Sequence, residues 1–94
     1  MKTLVWSPAF LRAFKRFSKR QPGLRKKVES TLLRLSEDPF QLALHTHKLK
    51  GELEGVWACS VDYSKRILFE FLQNPESGEE ELLLLTIGTH DEVY

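Results

Sequence analysis

An imidazole both gives and takes a proton near neutrality, and this chain places three of them, His45, His47 and His90, in two settings. His45 and His47 stand in a basic stretch with Lys48 and Lys50, while His90, Asp91, Glu92 and Tyr94 all follow within six residues of Gly88. Together with Arg66 these residue types meet the needs of one reaction, the cleavage of RNA by its own 2′-hydroxyl. That reaction requires a base for the hydroxyl proton, an acid for the departing 5′-oxygen and cations for the extra negative charge of the phosphorane. His47 and His90 suit either proton role, and Arg66 with Lys48 or Lys50 suits the phosphate. Tyr94 either donates a proton, stacks on a base or covers the core as a last aromatic. Asp91 either orients His90, meets RNA beside it or stands in solvent. On spacing alone the alternative of unconnected surface histidines stays open. The sequence has no HExxH, no phosphate-cradling glycine loop and no carboxylate cluster suited to magnesium, since Glu79-Glu80-Glu81 reads as a solvated loop. The expected chemistry is therefore free of metal and of cofactor.

The elements that must hold these residues follow from hydrophobic pattern. Leu82 to Ile87 is a dense apolar run, expected to be a mid-sheet strand buried on both faces, which Gly88 ends by turning the backbone. At the other end Thr3 to Trp6 is β-prone, and Ser7-Pro8 supplies an N-cap and a first-turn proline. Phe10, Leu11, Phe14 and Phe17 then recur at helical spacing, Gln21-Pro22-Gly23 breaks the helix, and Leu24, Val28, Leu32 and Leu35 define a second one ended by Asp38-Pro39. Phe40 to Lys50 is irregular and basic. Val56 to Tyr63 alternates, with Trp57, Cys59, Val61 and Tyr63 on one face and Ala58, Ser60 and Asp62 on the other. Arg66 to Leu72 alternates again after a turn, with Ile67, Phe69 and Phe71 inward. Gln73 to Glu81 reads as a polar loop. The fold class expected is α+β in a single domain, residues 1–94: an N-terminal strand, an antiparallel helical hairpin and a mainly antiparallel β-meander, in the order β-α-α-β-β-β.

The net charge of +1 hides a division. Residues 1–50 carry twelve Lys and Arg against three Asp and Glu, or +9, whereas residues 51–94 carry two against ten, or −8. The basic half points to an anionic partner, nucleic acid or acidic protein, and the acidic half argues against indiscriminate nucleic-acid binding. The single Cys59 forms no internal disulfide and reads as a small core residue in a reducing setting. Pro8, Arg12, Lys15 and Arg16 interrupt any apolar leader segment, and no stretch approaches membrane-spanning length. A cytoplasmic protein without membrane contact is expected.

The joint order of Leu49-Lys50-Gly51, Trp57 opening a strand, Asp62-Tyr63-Ser64-Lys65-Arg66-Ile67-Leu68-Phe69 and Ile87-Gly88-Thr89-His90-Asp91-Glu92-Val93-Tyr94 resembles the RelE/ParE toxin superfamily over nearly the whole chain. Within it the chain is most similar to the YafQ-type messenger-RNA interferases. Those have a histidine just before the Leu-x-Gly turn and a Gly-Thr-His followed four residues later by an aromatic. The resemblance implies that His47, His90 and Tyr94 occupy catalytic positions and that Arg66 holds the phosphate, with Lys48, Lys50 and Asp91 contacting RNA. It further implies a ribosome-dependent endoribonuclease, a toxin that meets messenger RNA and 16S ribosomal RNA on the ribosome and is neutralised by a cognate antitoxin. The chain departs from the pattern at Ala58 and Ser60, where RelE has two lysines. It departs again at Val61, near a further YafQ histidine, and at Asp62 or Lys65, the nearest stand-ins for a YafQ aspartate. Two other readings follow from the same superfamily: a ParE-like DNA gyrase inhibitor without nuclease activity, and an inactive regulatory protein that binds only its antitoxin.

Overall fold

The sheet is assembled around two long strands, β4 (Lys65–Gln73) and β5 (Glu80–Thr89), which pair antiparallel over their whole length. The structure is a computed structural model and describes residues 1–51 and 54–89. A short strand β1 (Thr3–Trp6) lies parallel to β5 on one side. On the other side β3 (Trp57–Ser60) and the two-residue β2 (His47–Lys48) continue the sheet antiparallel, giving the order β1-β5-β4-β3-β2. The α+β class and the strand-helix-helix-meander order are as expected. The added element is β2, an edge strand too short to leave an alternating pattern, formed where Leu49 N–H bonds the Val56 carbonyl at 2.9 Å.

Helices α1 (Pro8–Arg20) and α2 (Pro22–Glu37) cover one face of the sheet. Ser7 starts α1 as its sequence promises: its hydroxyl oxygen accepts the Phe10 N–H at 3.0 Å, while its own hydroxyl reaches the Leu85 carbonyl at 3.3 Å and its N–H donates to Leu84 at 3.2 Å. One residue therefore caps the helix and ties it to β5. Phe10, Ala13 and Phe17 of α1 and Leu24, Val28, Leu32 and Leu35 of α2 are buried against Cys59, Ile67, Phe69, Leu82, Leu84 and Ile87. Leu11, expected on the inward stripe, is 40% exposed, and Ala13 is buried with Phe10 and Phe17 instead. At the sheet edge Phe40 stacks on Phe71 at 5.7 Å between ring centroids and meets Trp57 edge-on at 5.4 Å.

Three expectations are corrected. The Leu82–Ile87 segment is buried fully on the helix side alone: Leu82, Leu84 and Ile87 are sealed, but Leu83 and Leu85 are half-buried because no helix covers their face. The helix-free face is covered in part by a smaller cluster of Leu49, Val56, Ala58 and Leu68 with Leu85. Gly88 does not end β5. It pairs with Arg66, and the strand runs to Thr89 opposite Lys65, since β4 begins early enough to supply both partners. Finally, residues 61–64 form a bend rather than the end of a strand. The Asp62 carboxylate, Oδ1, accepts the N–H groups of Ser64 at 2.9 Å and Lys65 at 2.8 Å, which curls the chain as an Asx turn before β4.

Candidate functional site

Register decides which side chains share a face. In an antiparallel ladder, directly paired residues project to the same side and their neighbours to the other. His47 pairs with Ala58, Ala58 with Leu68, Ser60 with Arg66, and Arg66 with Gly88. His47, Ser60 and Arg66 therefore project from the helix-free face. Arg66 lies two strands from His47 and one pleat period along, roughly 12 Å between backbones by ordinary sheet spacings. Gly88 puts no side chain beside Arg66 on this face. Lys48 projects with Trp57 on the helix side, its Nζ 5.8 Å from the centre of the indole. Lys50 is exposed in the following loop.

Local structure fixes both groups. The Arg66 Nη1 donates to the carbonyls of Asp62 at 2.7 Å, Lys65 at 3.0 Å and Tyr63 at 3.2 Å, so the guanidinium is pinned to the 61–64 bend through one nitrogen. A planar fork held at one corner presents its remaining donors in a set direction. His47 Nδ1 lies 3.0 Å from the His45 carbonyl. A carbonyl only accepts, so the neutral ring carries its proton on Nδ1 and its lone pair on Nε2. His45 makes this contact from a left-handed conformation, φ 49° and ψ 39°, closing the 3-10 turn Leu42–Leu44.

Arg66 also lines a cleft of about 320 Å³ together with Arg34, His45, Ser60, Asp62 and the almost fully exposed Tyr63. Burial by itself would raise the Asp62 carboxyl, but the N–H groups of Lys65 and Ser64, the Lys27 ammonium and the Ser64 hydroxyl together hold it below the ordinary value. Cys59 lies on the opposite face under the helices, and burial pushes its thiol up to about 12 against the opposing effects of an Ile67 backbone bond and the Arg66 charge. It is a protonated core residue, as its isolation in the sequence suggests. Among the described residues no group of three or more His, Cys, Asp or Glu could hold a metal ion. No helix among them is long and apolar enough to cross a membrane.

The structure thus brings Arg66 and His47 to one face, with Lys48 turned to the other. His90, Asp91 and Tyr94 lie outside the described residues; Thr89, the last described residue, pairs with Lys65 beside Arg66. The cleft residues Arg34 and Ser60 were not legible as site residues. Arg34 reads in sequence as one more cation on a helix, and Ser60 as an alternating strand residue, until the β3–β4 register sets Ser60 opposite Arg66 and the cleft joins Arg34 to them.

No family model matches the sequence, and no curated relative matches it. Solved structures do. A YoeB/ParE toxin from Agrobacterium tumefaciens superposes with a TM-score of 0.77 at 19% identity, covering 96% of this chain and 99% of that one. YafQ from E. coli in its DinJ–YafQ toxin–antitoxin complex gives 0.75 at 17% identity, covering 99% and 97%. The YoeB–YefM complex from Staphylococcus aureus gives 0.73 at 16% identity, covering 96% and 98%. The chain has the RelE/ParE-type toxin fold over nearly its whole length.

Proposed function

We propose that the chain is the toxin of a toxin–antitoxin pair and that it cleaves messenger RNA on the ribosome through attack of the 2′-hydroxyl, in the cytoplasm and without metal. The observation that carries this reading is the helix-free face of the sheet, from which His47 and Arg66 both project, Arg66 opposite Gly88 near the described end of β5. Support for a protein partner comes from the fold, which in the DinJ–YafQ and YoeB–YefM structures is seen in complex with an antitoxin. The basic first half of the chain supports an anionic partner as well.

In this mechanism His47 Nε2, left unprotonated by the Nδ1 bond to His45, takes the 2′-hydroxyl proton. The 2′-oxygen attacks the adjacent phosphorus, and the 5′-oxygen leaves with a proton from His90. Arg66 donates to the non-bridging oxygens as their charge grows. Lys50 contacts a flanking phosphate from its exposed loop, Asp91 meets RNA beside His90, and Tyr94 stacks against a base next to the cut. The upstream fragment then ends in a 2′,3′-cyclic phosphate. Programmed ribosomes incubated with the protein in chelator should yield that end at the rate seen without chelator. Cleavage abolished by chelator and restored by magnesium, with ribosomes intact throughout, would contradict the mechanism.

A further inference from the structure

The Arg66 cleft does not stop at Arg66. A second cleft of about 350 Å³ runs along α2, and the two share Arg34, Val61 and Asp62 as a common wall. Along this second cleft Lys26, Ser30 and Arg34 stand one helical turn apart, so three donors follow one another at about 6 Å steps. Their charges are not neutralised locally. Among the described residues Lys26 and Arg34 enter no ion pair, whereas Arg25, one position away on the same helix, is paired with Glu29 at 2.8 Å. The acid of the cleft, Asp62, is already engaged by the Ser64 and Lys65 N–H groups and by Lys27 at 3.8 Å. Tyr63 stands at the mouth, 97% exposed, its ring buried against nothing in the fold.

We infer that this double cleft is the seat of the RNA strand flanking the cut, with Lys26 and Arg34 on phosphates either side of the one that Ser30 meets and Tyr63 stacked on a base. The inference rests on the proposed nuclease reading for where the strand is cut, and extends it to residues that reading does not use. The chemistry favours single-stranded RNA over a protein segment. The walls are polar apart from Val61 and Ala43, too little apolar surface to seat a helix, while regularly spaced free cations beside an exposed aromatic are what a single strand requires. A duplex would leave no base free to stack on Tyr63.

The test uses the full chain and a short single-stranded RNA whose 2′-hydroxyls are methylated, so that binding is read without cleavage. The double variant Lys26→Gln/Arg34→Gln keeps two good helix formers at exposed positions, and should lower the slope of log affinity against log salt by about 0.7 for each lost cation. Tyr63→Leu should weaken binding on the order of tenfold and leave that slope unchanged. The control Lys15→Gln/Lys19→Gln removes the same charge from α1, away from the cleft, and should change neither quantity. Equal losses from the α1 control would mean diffuse attraction by the basic half and would overturn the inference. Wild-type RNA binding in both cleft variants would take the strand off these residues and overturn it too. A wild type that binds the methylated strand through these residues but cuts no RNA overturns the nuclease reading alone.

Discussion

Arg66 has two tasks that pull on one side chain. Nη1 holds the bend through three carbonyls, and the rest of the fork is what remains for phosphate. Lysine has one charged nitrogen and cannot do both. Arg66→Lys and Arg66→Ala are therefore both expected to slow cleavage by about a hundredfold or more, the usual cost of a preorganised donor to developing charge. Their folded stability should fall by about 1–3 kcal/mol for the lost bonds to the bend; cleavage rates and urea unfolding on the same preparations separate the two effects, and a Lys variant at wild-type speed would remove Arg66 from the reaction. Asp62 gives a pH prediction. Its folded carboxyl sits below the ordinary value, so the charge contributes stability that is present above that value and is lost as the pH falls through the folded one. Asp62→Asn keeps an oxygen for the Ser64 and Lys65 N–H groups but no charge for Lys27. Wild type should be the more stable at pH near 7, and its advantage should shrink below about pH 4. An advantage that grows on acidification would contradict the ion and hydrogen-bond account.

At the scale of elements, Ser7 joins α1 to β5 by capping one and bonding the other. Ser7→Ala should cost about 1 kcal/mol, lowering Tm by about 4–8 °C in a domain of this size, with cleavage at permissive temperature unchanged. A melt indistinguishable from wild type would show that the cap adds nothing. This element was legible because Ser-Pro before an aromatic stripe has a local cause. So were α2, whose Leu24, Val28, Leu32 and Leu35 are all buried, and the β3–β4 hairpin, whose alternation places Ala58 and Ser60 opposite to Trp57 and Cys59. What could not be read was set by distant partners. Gly88 resembles a strand end until Arg66 is known to lie opposite it, and β2 is made by pairing with β3 rather than by its own two residues. The half-exposure of Leu83 and Leu85 depends on both helices falling on one side. For the site, Arg66 was named from motif order, but its attachment to the bend and the meeting of Arg34, Ser60 and His45 beside it depend on register and turn geometry. His90, Asp91 and Tyr94 lie outside the described residues.

For the whole molecule, the charge division of +9 and −8 maps onto the chain order: the basic half holds both helices and β2, while the acidic half supplies β3 to β5. Helices on one face therefore leave a cationic side built around α2 and, on the other face, an open sheet surface with Arg66 and His47. The fold is shared with YoeB/ParE and YafQ toxins at 16–19% identity, too little for activity to follow from shape. The central claim is cleavage, and it is tested most directly by mapping messenger-RNA ends on translating ribosomes after addition of the purified protein, its Arg66→Ala variant and its His90→Ala variant. The proposed mechanism predicts cuts within the decoding site carrying 2′,3′-cyclic phosphate for wild type, slowed by on the order of a hundredfold to ten-thousandfold without His90. Intact messenger RNA at every protein concentration, with DNA gyrase inhibited in a parallel supercoiling assay, would contradict it and make the chain a gyrase poison.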